Sequence, residues 1–400
     1  MFRLIYQEMN ILQVVPGMDP KGGGVCQGIR NTLPEFTKHG IHNEVVCFDD
    51  SNAPFIAKDP FKIHGLGKAN NPWGYNKKFI PWMLDNFERF DVVIVHGLWL
   101  YQSQAAIKAM LTYRKTNGLK PKVYVMPHGM LDPYFQNAND RKLKALRNTI
   151  YWKLFENKVV NQADGILFTC EEELLLARTT FPNYKPKKEI NVGYGIQPPP
   201  VFHENMKIAF ESKVPQWNGK PFLLFLSRIH PKKGVDMLIT AYLKLEKELD
   251  ELPQLIIAGP NEHAYAKEMQ NMAKPSKNIL FAGMLNGDAK WGAFYESEVF
   301  ILPSHQENFG IAVVEALACK TPVLISNKVN IWREIEKGKG GIVKNDSEDD
   351  TYQLLKQWFL LNRKEKSQMI LNAENVYQSH FTIATAASQY LKGINIKLAK

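Results

Sequence analysis

The sequence predicts an α/β protein made of two doubly wound parallel-sheet domains, and three observations carry that prediction. Short β-branched runs alternate with helical patterns along the whole chain, as they do when each strand is followed by a crossover helix. At 400 residues the chain exceeds one ordinary domain and suits two, each able to bury its own core. The alternation breaks once, between residues 198 and 220, where PPPVF and a polar stretch ending in WNGKP read as a linker.

Residues 10–15 (NILQVV) read as the first strand, followed by the loop PGMDPKGGG and a helix over residues 25–39. Further strands are expected at residues 44–48, 91–96 (DVVIVH), 122–126 (KVYVM) and 165–169 (GILFT). After the linker the same grammar restarts at residues 222–227 (FLLFLS), 254–258 (QLIIA), 278–281, 298–302 (EVFIL) and 322–325. The expected division is therefore a first domain over residues 1–205 and a second over residues 206–381.

Composition narrows the function classes. Hydrophobic content of 45% with 22% charged residues is ordinary for a globular chain. Fifty Lys and Arg against 40 Asp and Glu give a formal charge of +10, which favours anionic partners such as nucleotide phosphates or anionic lipid, or simply a solvated basic surface. Nucleic acid is set aside, because there is no arginine-rich run and no RNP-like aromatic motif. Cys26, Cys47, Cys170 and Cys319 are scattered without a CxxC pair, which argues against a zinc site or disulfide framework and fits a cytoplasmic location. Residues 1–17 read poorly as a signal peptide, with Glu8 inside them and no small-residue cleavage site. No run approaches the ~20 apolar residues that cross a bilayer.

In open parallel sheets ligands sit beyond the carboxyl ends of the strands. The residues that fall there are Gly22, Gly23 and Gly24, then His96 and His128, and in the second half Arg228, Gly259 and Glu307. The richest segment is SHQENFGIAVVEALACKT, residues 304–321, with Glu307 in a loop, Asn308, Phe309 and Gly310 at its turn into a helix, and Glu315 on that helix. The start of a helix offers unpaired N–H groups and a partial positive charge, a seat for phosphate. A carboxylate before it can accept hydrogen bonds from sugar hydroxyls, and one further along can hold a ribose diol. In SRIHPKKG, residues 227–234, Arg228 and Lys233 supply two cations that suit one diphosphate leaving group.

The GGG at residues 22–24 is neither GxGxxG nor a P-loop; it allows close backbone approach to phosphate or sugar, or it is a plain tight turn. His128, in MPHGM, and His96, in VHGLW, each follow a strand; His128 suits a sugar hydroxyl and His96 the acceptor side. Residues 140–157 form an expected helix with Leu143, Leu146, Ile150 and Leu154 on one stripe, amid Arg141, Lys142, Lys144, Arg147 and Lys153. Such a helix either lies on an anionic membrane surface or buries its stripe in the core.

Together, the Glu-x7-Glu segment, SRIHPKKG, the AGP at residues 258–260 and EIEKGKGGIV at residues 334–343 resemble glycosyltransferase family 4. The likeness covers nearly the whole chain and is most specific over residues 222–343; HGLW and HGMLDPY resemble the branch that serves bacterial exopolysaccharide and lipopolysaccharide assembly. The resemblance implies a GT-B fold, two Rossmann-like domains facing across a cleft, with residues 382–400 as a helix packing back on the first. It implies Arg228 and Lys233 as diphosphate ligands and Glu315 as the ribose ligand. Glu307 and the backbone of Asn308, Phe309 and Gly310 fall on the donor sugar, with His128 beside it and Gly23 and Gly24 near the phosphates. It further implies retention of anomeric configuration, a nucleotide-diphosphate-sugar donor, a saccharide or lipid-linked acceptor, and no metal or other cofactor; the chain has no Asp-x-Asp. Two departures from the family pattern are Tyr194, before Gly195, where Asn is common, and Cys170, where Ser is common. The competing readings are an epimerase-like or phosphorylase-like catalyst and a silent sugar-nucleotide-binding subunit of a polysaccharide assembly complex.

Overall fold

Two runs of apolar, β-branched sequence build two separate parallel sheets in the computed structural model, which describes residues 9–69, 71–138, 141–249 and 251–396. The first sheet comprises β1 (Met9–Val14), β2 (Ile41–Cys47), β3 (Lys62–Gly65), β4 (Val92–His96), β5 (Lys122–Met126), β6 (Gly165–Phe168) and β7 (Glu189–Asn191). Among the described residues its order is β3-β2-β1-β4-β5-β6-β7, and every pairing is parallel. Because both faces are covered, successive residues of one strand alternate between two cores. Leu12, Val14, Val93 and Val95 meet the helices Phe79–Asn86 and Tyr101–Asn117, while Ile11, Val45, Ile94 and Met126 lie in the other cluster with Phe36 of the helix Gly24–Lys38. That face is completed from far along the chain. The helix Ile383–Gly393 buries Ala387 and Leu391 fully and sets the Tyr390 ring edge-on to Phe36 at 5.2 Å.

The second sheet comprises β8 (Phe222–Leu226), β9 (Leu255–Ala258), β10 (Ile279–Gly283), β11 (Ser297–Leu302), β12 (Val323–Ser326) and β13 (Gly341–Lys344). Its order is β10-β9-β8-β11-β12-β13, again all parallel. In each sheet the order reverses once, between β1 and β4 and between β8 and β11. Such a reversal sends the crossover helices to opposite faces and leaves a crevice at the strand ends where ligands bind in open α/β sheets.

The chain divides into one unit that runs to Gly195 and resumes at Ile383, and a second over Ile196–Thr382. The division falls before the proline run instead of at residue 205. Residues 196–203 are bound to the second unit: Ile196 N–H donates to Phe381 O at 3.0 Å, the Tyr295 hydroxyl donates to Pro200 O at 2.7 Å, and Phe202 meets the Tyr295 ring at 5.4 Å. Ile196 also bridges to Thr382, so the second unit begins and ends at one point.

The expected helix over residues 140–157 is described from residue 141 onward; Asp140 lies outside the described residues. It is an α-helix over Lys142–Tyr151 that widens to a π turn over Trp152–Glu156 and continues as Asn157–Gln162. Cys26, Cys47, Cys170 and Cys319 are all buried. Among the described residues no helix is long and apolar enough to cross a membrane.

Candidate functional site

In the second unit the chemistry-bearing residues gather at the reversal between β8 and β11. Beyond β8 come the exposed Arg228 and a single 3-10 turn, Pro231–Lys233, closed by Gly234 at φ 67°. Only glycine fits there: a Cβ would lie 2.2 Å from the carbonyl oxygen of Pro303, beyond β11. The two loops are stitched together by the Ser304 hydroxyl and the His305 N–H, which both donate to Lys232 O at 2.9 and 2.8 Å. Glu307 is fixed from the other side. Its N–H donates to Lys328 O at 2.8 Å, and its carbonyl accepts from Asn330 N–H at 2.9 Å. Two residues far apart in sequence are thereby brought into an ion pair, the Lys233 ammonium with the Glu307 carboxylate. The Lys233 side chain is 5% exposed and that of Glu307 25%, so the pair sits at the rim with its cation on the dry side.

Gly310, at φ 76°, then caps the helix Ile311–Ala318. The first hydrogen bonds within the helix run from Val313 and Val314 N–H to Gly310 O, so the N–H groups of Ile311 and Ala312 precede the ladder at its partly positive end. Phe309 is buried edge-on to Phe381 at 5.6 Å, which anchors the turn. Glu315 lies one turn into the helix, its Oε1 2.8 Å from Lys290 Nζ. Arg228, Lys233, Glu307, Asn308–Gly310 and Glu315 thus all belong to the two strand ends at the reversal, or to the helix that follows one of them.

In the first unit, Gly23 adopts φ 93° and starts the helix Gly24–Lys38, in which Gly24 is the first residue. The preceding loop is tied down: Asp49 Oδ2 accepts Met18 N–H at 2.5 Å, and Arg30, paired with Asp59, donates to Met18 O at 2.6 Å. Beneath it lies a pocket of about 260 Å³ lined by Gly17, Asp19, Gly22, Cys26, His96 and Gln102 among others. This approaches the ~300 Å³ at which small-ligand pockets begin.

His96 and His128 are joined directly, His96 Nδ1 lying 2.8 Å from His128 Nε2 with the rings near parallel. His96 Nε2 lies 2.8 Å from Gln13 Oε1, and Gln13 is a buried residue of β1. The amide oxygen accepts, so His96 carries its proton on Nε2 and presents Nδ1 as a lone pair to His128 Nε2–H. His128 Nδ1, which makes no hydrogen bond among the described residues, is left as an acceptor. Burial holds the His96 imidazole well below its usual range, with His128 adding to the effect, and burial lowers His128 to about 4, so both rings are neutral near pH 7. His128 sits at φ 52°, and the next N–H, of Gly129, donates to Glu173 Oε1 at 2.5 Å; Thr169 N–H and Oγ1 hold Glu173 Oε2 at 2.8 and 2.6 Å.

Gln13 and Glu173 are absent from the sequence-derived set. A lone amide within the apolar run NILQVV is the signal for the first; Glu173, one of three consecutive acids, carries no comparable mark. Another buried acid, Glu156, belongs to the π turn and accepts from Trp99 N–H at 3.1 Å and the Ser103 hydroxyl at 3.3 Å. Burial pushes its carboxyl up to about 7, against those hydrogen bonds. Among the described residues no three His, Cys, Asp or Glu side chains are grouped to hold a metal ion.

Residues 207–376 match the family described as glycosyl transferases, group 1. An uncharacterized glycosyltransferase of Methanocaldococcus jannaschii is 28% identical over 39% of this chain and 41% of its own, so the chain spans less than half of that relative. Alpha-monoglucosyldiacylglycerol synthase of Streptococcus pneumoniae is 29% identical over 76% of this chain and 68% of its own. An Anabaena protein solved in complex with UDP and glucose superimposes with a TM-score of 0.67 at 14% identity, over 96% of this chain and 99% of that one, a likeness of fold. The two parallel-sheet units and these neighbours make the architecture GT-B.

Proposed function

Because residues 207–376 match the group 1 glycosyl transferases, we propose that the chain is a cytoplasmic, retaining glycosyltransferase. It moves a sugar from a nucleotide-diphosphate-sugar to a saccharide or lipid-linked acceptor in bacterial polysaccharide biosynthesis. The observation that supports this most is the joining of Lys233 and Glu307 at the β8–β11 reversal, beside Arg228 and the start of the helix Ile311–Ala318. A diphosphate and a sugar arriving together satisfy both members of that pair: the ammonium turns to the phosphate oxygens and the carboxylate to sugar hydroxyls.

In the proposed reaction Arg228, Lys233 and the N–H groups after Gly310 hold the diphosphate while the bond from the anomeric carbon to its oxygen breaks. The acceptor oxygen bonds to the same face of that carbon, and the leaving oxygen takes the acceptor's proton. Glu315 holds the ribose diol, and the Asn308–Gly310 backbone, Glu307 and the neutral His128 hold the donor sugar. Gly23 and Gly24 approach the phosphates, and His96 serves the acceptor side. No resident metal or cofactor takes part, so transfer persists in EDTA.

The UDP complex of the Anabaena neighbour makes UDP-sugars the first donors to try. Thermal midpoints of the full chain with UDP, GDP, ADP and dTDP identify the base; a ligand at ~100 times its Kd stabilises by about 2.7 kcal/mol. Donor consumption with and without acceptor, and the anomeric signal of the product, then test the chemistry. Donor isomerised without acceptor favours the epimerase reading, and binding without turnover the silent subunit. No stabilisation by any of the four and no consumption would refute the proposal.

A further inference from the structure

The helix after residue 141 is turned opposite to what its composition suggests. Its inward face is Asn148, Trp152 and Glu156, all buried. Trp152 fixes that orientation, donating its indole N–H to Pro182 O at 2.8 Å and stacking on Phe181 at 4.7 Å. The apolar stripe is therefore left outside, with Leu143 85%, Leu146 59%, Ile150 48% and Leu154 56% exposed. Lys142, Lys144, Arg147, Lys153 and Lys158 are exposed along the same segment, whereas Arg141 is folded over the Phe135 ring at 5.0 Å. Among residues 141–158 Glu156 is the one acid, and it faces inward.

We propose that this face docks the first unit on an anionic lipid surface, lying in the plane of the headgroups. From Leu143 to Leu154 the stripe runs about 16 Å at 1.5 Å per residue, a contact along the membrane and not through it. The charge pattern selects the occupant. A second copy of the same face would bring cations against cations, which disfavours a dimer, whereas anionic headgroups neutralise them while the four apolar side chains enter the acyl boundary. Lys and Arg stems extend beside the leucines and keep their charges at headgroup level. The proposal stands apart from the transferase reading, since docking needs neither donor nor acceptor.

Co-sedimentation of the full chain with vesicles of phosphatidylcholine alone, or with added phosphatidylglycerol, tests it. The wild type is expected to pellet with the anionic vesicles, to stay in solution with neutral ones, and to be released by salt. A variant with Lys142, Lys144, Arg147 and Lys153 changed to Gln should lose partition by several hundredfold, at about fivefold per cation. A variant with Leu143, Leu146, Ile150 and Leu154 changed to Gln should also stay in solution, with an unchanged thermal midpoint because none of the four is buried. Wild type remaining in the supernatant, or the Leu/Ile variant pelleting like wild type, overturns the proposal. So does sedimentation velocity showing a wild-type dimer that this variant dissociates.

Discussion

Replacing Lys233 by alanine removes one member of a rim ion pair and, on the proposed mechanism, one cation of the leaving-group site. The two consequences differ in size and can be separated. An exposed pair is worth about 0–1 kcal/mol, and breaking a fully buried one costs about 3–5 kcal/mol. Lys233 is nearly buried but Glu307 is a quarter exposed, so the orphaned carboxylate is partly relieved by water and the expected loss is about 1–2 kcal/mol. In a cooperative unit of this size that lowers the thermal midpoint by about 2–8 °C. Changing Glu307 to Gln in the same chain removes the orphaned charge and should restore part of the midpoint. Transfer behaves otherwise: losing a charge-stabilising donor costs about 10²–10³ in kcat, and the second change cannot return it. Differential scanning fluorimetry on the two single variants and the double variant, with donor-consumption rates at saturation, reads both quantities. Near wild-type turnover in folded Lys233→Ala, or a double variant no more stable than the single, would show that the pair and the leaving-group site are not the same device.

Glu315→Gln should weaken nucleoside diphosphate affinity more than it slows turnover, and Glu307→Gln the reverse; identical defects in titration and saturated rate would contradict separate roles. Gln13→Leu removes the acceptor that sets the His96 tautomer, so ¹⁵N-histidine spectra should show Nε2–H forms of His96 and His128 in wild type and a changed tautomer in the variant. An Nδ1–H form of either ring in wild type would refute the chain of hydrogen bonds. Burial raises the Glu156 carboxyl from its ordinary 4.5 to about 7, so the folded form holds its proton more tightly. Its contribution is full below the unfolded value and is lost as pH rises from about 4.5 to 7, by about 3 kcal/mol. Glu156→Gln should accordingly raise the thermal midpoint more at pH 8 than at pH 5; an equal shift at both would count against a buried, protonated acid.

The strands that sequence reading misses lie at sheet edges, where it finds only Ile279–Gly283. NILQVV, DVVIVH, FLLFLS and EVFIL fill central strands whose residues are covered on both faces, so each leaves an unbroken apolar run. Lys62–Gly65, Glu189–Asn191 and Gly341–Lys344 are edge strands, only partly covered, and KIHG, EIN and GIVK carry no such run. At the site, spacing marks Lys233 and Glu307 as interesting, yet their contact depends on β8 and β11 becoming neighbours, which is a property of sheet order. Periodicity reveals the stripe from Leu143 to Leu154 but not which way it faces; the fit of Trp152 against Phe181 and Pro182 decides that, and it draws on residues thirty positions away.

The meeting of Ile196 with Phe381 and Thr382 has a consequence for how the chain is made. Synthesis proceeds from the amino end, so the whole of the second unit is made before Ile383–Gly393. The second unit can close on itself as soon as Thr382 emerges. The first unit, begun earlier, must wait with the ground that Ala387, Tyr390 and Leu391 will cover still open to water around Phe36. The half that starts first is the half that finishes last, and the interval is the time taken to translate the other.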